Sequence, residues 1–311
     1  VNMTTLKNLK GTAIQFLAED PVQNVGTWAS GGDLNTARRR PGWGTGITTA
    51  NYSFAFGGDT PPSTAVAEQY NGTAWTEVND LNTARNSTSG AGTLTSALYF
   101  GGGVPASPYN SAATESWDGS SWTEVNDLNT ARRGLTGFGA TNGAAVAASG
   151  YVTAASALTE NWNGSSWTEV GDQNAALYAR GGTGISTSGL LAGGNTNASN
   201  TETWNGSAWT ETTELNTGRE NGVFSGTATL NILAGGESSP PSFLTSTEEW
   251  NGSAWTEVND MATARSGGAG NGVMTSGIVG GGDTTPGPVA TTEEFNFPPP
   301  TSSILQEGDM W

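Results

Sequence analysis

"WDGSSWTEVNDLNTARR", residues 117–133, decides the fold because the chain writes it repeatedly. Aligned on the second tryptophan, the copies fall at Trp28, Trp75, Trp122, Trp167, Trp209 and Trp255, spaced by 47, 47, 45, 42 and 46 residues. Before most of them stands a short segment ending in Glu-x-aromatic, as in "AEQYNG", "TESWDG" and "TENWNG". After each comes a connection related to "NDLNTAR", then a stretch of small residues, then an apolar run closing on glycine, such as "YSFAFGG", "ALYFGGG" or "NILAGG". The fourth connection, "TEVGDQNAALYARG", follows the pattern more loosely.

Each unit therefore holds four short strands. The Asn-Gly or Asp-Gly at its centre supplies the positive φ that a tight hairpin requires. Four strands in each 40-to-50-residue unit is the period of a β-propeller blade, whereas helical repeats would need a 3.6-residue periodicity that is absent here. The phase of the repeat predicts how the ring closes. The first copy supplies only an outer strand around Trp28, and the last supplies three strands ending at "TEEFNF". Joining them gives an all-β, six-bladed propeller over residues 24–297 with few free sheet edges. Residues 1–23 are then an N-terminal anchoring segment, and 298–311, beginning "PPP", a linker expected to lead into a further region.

Composition narrows the function. The 311 residues include 46 glycines and only 13% charged residues, a turn-and-strand composition. A net charge of −17 repels a phosphate backbone, so nucleic acid is excluded as a partner. No apolar run is long enough for a membrane helix. The chain has no cysteine and no histidine, which removes disulfides, thiolate and imidazole metal sites, Ser-His-Asp triads and Cys nucleophiles. Carboxylates are plentiful, but nearly all sit at repeated positions, where an active site would break the repeat. The chain is expected to be non-enzymatic, with no cofactor and no metal. The alternative reading is a carbohydrate-binding or glycan-hydrolysing propeller of a bacterial surface.

The glycine pair ending the second strand, the aromatic followed by Asp or Asn, and the Trp opening the fourth strand resemble Kelch repeats of galactose-oxidase-like propellers, over residues 24–297. Without histidine or cysteine, the copper chemistry of galactose oxidase itself cannot operate. "WDGSSW" also loosely resembles the Asp box of sialidase propellers, itself a structural element. More narrowly, repeats of the "WDGSSWTEVNDLNTAR" type, with the flanks "LKNLKGTAIQFLAEDP" and "LQEGDMW", are similar to Kelch-like virion proteins of tailed, particularly marine, phages. That likeness implies a structural or adhesion module of the particle surface, in a tail, neck or fibre. Its terminal segments would bind other virion proteins and its loops a host glycan or protein, with homo-oligomers among the assemblies expected.

Two residue sets stand out. Arg38, Arg85, Arg132, Arg180, Arg219 and Arg265 are read as occupying one repeat position, and Glu68, Glu115, Glu160, Glu202, Glu248 and Glu293 another. In a chain with eleven basic residues this predicts one structural ion pair per blade, of bidentate geometry. The second set lies where the repeats disagree, in the loops between second and third strands (59–66, 104–112, 151–156, 195–200, 237–246 and 283–290). These loops share a face with the connections, and Tyr109, Tyr151 and Phe243 are their candidate binding patch.

Overall fold

The inner strands are built of small residues, "SGAGT", "GGTGI" and "AGNGV" among them, because neighbouring blades meet there. A Cβ on Gly137 of blade three would lie 2.2 Å from Cζ of Phe100 in blade two, so nothing larger fits. The computed structural model describes residues 26–44, 52–238 and 242–297, and the expected flanking segments 1–23 and 298–311 lie outside them. The described residues form six four-stranded antiparallel sheets arranged as a β-propeller, with no helix. The first five sheets each run in chain order from inner to outer strand. In blade two these strands are Ser89–Thr93, Ser96–Phe100, Thr114–Trp117 and Trp122–Val125.

The sixth blade closes as the phase of the repeat predicts. Thr27–Ser30 is its outer strand and pairs with Thr292–Asn296 in the register Thr27↔Asn296, Trp28↔Phe295. Where other blades carry a hairpin, this one has the two ends of the described ring. Phe297 N donates to Thr275 O in the blade's own first turn, which fixes the side of the disc on which those ends lie.

The tryptophans of the repeat divide the work of packing. The first caps its own blade: the indoles of Trp117, Trp162, Trp204 and Trp250 donate to carbonyls of the turn between first and second strands at 2.8–3.2 Å. The second is a wedge into the preceding blade. The indoles of Trp28, Trp75, Trp167, Trp209 and Trp255 donate to the threonine opening that blade's third strand (Thr247, Thr292, Thr114, Thr159 and Thr201) at 2.9–3.2 Å. In blade one that place is taken by Ala67, and Trp122 turns to Asn79 O instead, at 3.1 Å. Within four of the blades the two indoles meet at 5.2–5.4 Å, tilted by 40–47°. Asp118 completes the hairpin of blade two, its Oδ1 accepting the Ser120 and Ser121 amides at 2.8 Å, and the Ser121 amide foremost holds its carboxyl down at about 2.

Two outcomes follow for stability. Trp209→Ala empties an inter-blade wedge and should lower the unfolding free energy by about 3–5 kcal/mol in urea titrations. Tyr99 is fully buried, its hydroxyl donating to Arg85 O at 3.0 Å, and burial pushes its pKa up to about 12. The unfolded chain releases that proton near pH 10 while the folded chain keeps it. Stability should therefore be intact below pH 10 and fall by roughly 2–3 kcal/mol between pH 10 and 12, a loss that Tyr99→Phe should diminish.

Candidate functional site

Six buried carboxylates organise the face on which the connections lie. In blade five, Glu248 Oε1 accepts from Arg219 at 2.7 Å and from the Thr217 amide at 3.1 Å, while Oε2 accepts from the amide and the side chain of Asn216 at 2.8 and 3.0 Å. The connection is thereby folded down onto the third strand of the blade it enters. Arg85–Glu115, Arg132–Glu160, Arg180–Glu202 and Arg265–Glu293 meet at 2.6–2.9 Å, and Arg38 bonds Glu68 in the same way. The expected bidentate fork does not form. One carboxylate oxygen faces the arginine, and the other is occupied by the connection's asparagine, or by the Ala262 amide in blade six. A terminal guanidinium nitrogen turns to backbone carbonyls beside the strands, as from Arg85 Nη1 to Gly101 O and Ala113 O, while the Nε of Arg85, Arg132, Arg180 and Arg265 has no partner among the described residues. Burial pushes the guanidinium of Arg38, Arg132, Arg180, Arg219 and Arg265 below the ordinary arginine value, and the facing glutamate opposes the shift.

Arg180 corrects the sequence reading a second time. It does not share the repeat position of the other arginines, because Leu177 stands there. Gly150 N donates to Leu177 O at 3.1 Å, just as Gly102 N donates to Arg132 O at 2.8 Å. Arg180 comes three residues later, at the entry to the inner strand, and its guanidinium still reaches the equivalent glutamate, Glu202, at 2.8 Å. Two substitutions accompany the detour. Gln173, placed where other connections carry Leu128 or Leu215, accepts from Arg180 at 3.2 Å and from Ser149, which replaces a glycine of the paired glycines, at 2.6 Å.

Two residues after the arginine position lies a collar that no sequence pattern announces. Arg40, Ser87, Gly134, Ala179, Asn221 and Gly267 all have φ between +49° and +59°. Each donates its N–H to the carbonyl of its counterpart in the preceding blade, at 2.6–3.2 Å, and Arg40 closes the circle onto Gly267. The six amides thus form one ring of hydrogen bonds around the axis. No one residue type runs through the six positions, so only the backbone geometry reveals the ring. Beneath it, buried side chains bind the inner strands together: Thr136 Oγ1 donates to Arg180 O at 2.8 Å, Thr183 Oγ1 to Gly226 O at 2.6 Å and Ser225 Oγ to Asn271 O at 2.7 Å.

Around the collar the blades differ. The residue after the arginine position is Arg39, Asn86, Arg133, Tyr178, Glu220 or Ser266, each bridged to, or hydrogen-bonded with, the loop that follows the paired glycines. This is where the face is individual. A cavity of about 360 Å³ opens here, with Arg40, Arg133, Tyr151, Tyr178 and Glu220 in its wall. Arg133 lies over the Tyr151 ring at 4.6 Å, and Tyr151 meets Tyr178 edge to face at 5.5 Å. Burial, then the nearby Glu237, raises the carboxyl of Glu220 above its ordinary value, with Arg40 opposing.

The three aromatics of the candidate patch do not gather. Tyr151 joins this cavity, Phe243 lines a separate open groove beside Pro61 and Pro286, and Tyr109 stands 61% exposed in neither. Tyr178 is the residue the sequence reading missed, and the displaced arginine of "NAALYARG" was its signal. Among the described residues no group of three or more acidic side chains is placed to hold a metal ion.

No protein-family model matches the chain, and no curated protein matches it. Among solved structures, that of YjhT is similar, with a TM-score of 0.67 and 14% identity over 84% of this chain and 95% of the other. The likeness is one of fold.

Arg132→Ala leaves Glu160 buried without its cation and should cost about 3–5 kcal/mol, visible as a lowered melting temperature. Arg133→Ala, one residue on but at the surface, should cost less than about 1 kcal/mol in the same assay.

Proposed function

We propose that this chain is a Kelch-type display module of a tailed-phage particle, non-enzymatic, held by its flanks and presenting its loop face to a host-surface glycan or protein. The observation that carries this reading is the polarity of the disc. Both ends of the described ring, Gly26 and Phe297, lie at the last blade on the side of the tight hairpins, where Thr27 pairs with Asn296. The variable loops lie on the other side with the connections, as the bond from Leu81 N to Ala65 O shows for blade one. A propeller attached through its ends would therefore keep its individual face free.

Chemistry and charge support the same reading. With no histidine or cysteine, the commonest general base and the thiolate nucleophile are missing, while a net charge of −17 disfavours adhesion to nucleic acid. The wedges, the collar and the buried ion pairs give the rigid support that recognition by loops requires.

Mass spectrometry of purified virions, with antibody labelling in electron micrographs, tests the assignment. The chain should be found in intact particles, and the isolated protein should bind the surface of susceptible cells and slow adsorption. Absence from particles overturns the virion assignment.

A further inference from the structure

The fourth connection departs from the repeat in a way that creates something. Its arginine comes three residues late, Leu177 holds the usual arginine position, and Tyr178 stands at the variable place next to the collar. Asn195 holds Tyr178 by its backbone from both directions: its Oδ1 accepts from Tyr178 N at 2.9 Å, and its own N–H donates to Tyr178 O at 2.8 Å. Tyr178 stands edge to face with Tyr151, whose ring is covered by Arg133, so blades three and four together present a T-shaped aromatic pair beside the axis. Neither ring is fully buried. Across the cavity lie Glu220 and Asn221, and the indole of Trp43 also lines it, its N–H without a partner among the described residues.

We infer that this cavity binds the terminal unit of a neutral saccharide. The inference rests on the reading of the loop face as the recognition face and specifies what that face takes. A pyranose offers an apolar C–H surface on one side and hydroxyls that both donate and accept around its rim. The Tyr178 ring matches the first, and the second is matched by the carboxylate of Glu220, the carboxamide oxygen of Asn221, whose Nδ2 donates to Glu237 at 3.1 Å, and the N–H groups of Arg133 other than the one given to Asn110 at 2.8 Å. The collar's own N–H groups are all committed within their ring, so recognition falls to these side chains. A volume of about 360 Å³ is at the small end of ligand pockets and suits a mono- or disaccharide end rather than a folded epitope. The formal charges around the wall balance: Arg40 lies 3.9 Å from Glu237, Arg133 is offset by Glu220, and the Arg180–Glu202 pair is neutral within itself. A neutral ligand is the complement of such a wall.

The test uses the full chain and saturation-transfer NMR with N-acetylglucosamine, galactose, lactose and maltose as probes, followed by calorimetric titration of any that bind. At least one should bind, with millimolar affinity typical of a single small site, and Tyr178→Ala should weaken it about tenfold or more while the melting temperature stays within a few degrees. Tyr178→Leu, which keeps bulk without a π face, serves if the alanine variant does not fold. Phe243→Ala, in the separate groove, should leave the affinity unchanged. Binding that survives both Tyr178 variants overturns the site. So does the binding of no probe, or a loop face that captures only peptides from a displayed library. Because host-cell adhesion and presence in virions are measured separately, the wider proposal can stand where this one fails.

Discussion

Everything in this ring depends on six carboxylates that are buried yet fully occupied by hydrogen bonds. A carboxylate taken out of water is costly, and a single arginine does not compensate for it unless the remaining lone pairs also find donors. Here the second oxygen is taken by the amide and side chain of an asparagine in five of the six blades, and by the Ala262 amide in the last. Those donors belong to the connection arriving from the preceding blade. Satisfying the carboxylate and seating the next blade are therefore one event, which is why "LNTAR" and Glu-x-aromatic recur together along the chain.

The fourth blade shows how much freedom that arrangement leaves. Its arginine comes from three residues further on, yet the carboxylate is met at 2.8 Å, because Gln173 and Ser149 make the detour polar along its length. The conserved quantity is the position of the guanidinium. With the inner structure held constant, the residue beside the collar is free to differ in every blade, and in the fourth it is Tyr178, edge to face with Tyr151. Specificity in a repeat protein arises in this way: one unit departs locally while the interactions that close the ring persist.

The collar has a different logic. Four of its six residues are not glycine and yet adopt a left-handed backbone, a conformation that costs on the order of 1–2 kcal/mol for most side chains. The circle of amides compensates by pairing every N–H with the neighbouring blade, and a circle can be completed only when all six blades are present. It is a cooperative element that ties each blade to the closure of the whole.

What the sequence determines by itself is whatever is repeated. Strand number per unit, six blades, closure by Thr27–Ser30, the hairpin role of "WDGSSW" and the identity of the charged pairs are all local or periodic properties, and periodicity is visible in one dimension. What only the tertiary structure decided is whatever depends on direction and on distance across the ring. The arginine fork resolves to a single oxygen because the connection's asparagine approaches the other. Leu177 and Arg180 exchange roles because a long side chain can reach one point from two backbone positions. Tyr109, Tyr151 and Phe243 part company because their loops radiate from an axis, and residues similar in sequence setting diverge in space. Tyr178, unremarked in the sequence, enters the cavity because a collar of backbone amides, which no side-chain pattern records, fixes where the residue before Ala179 must stand.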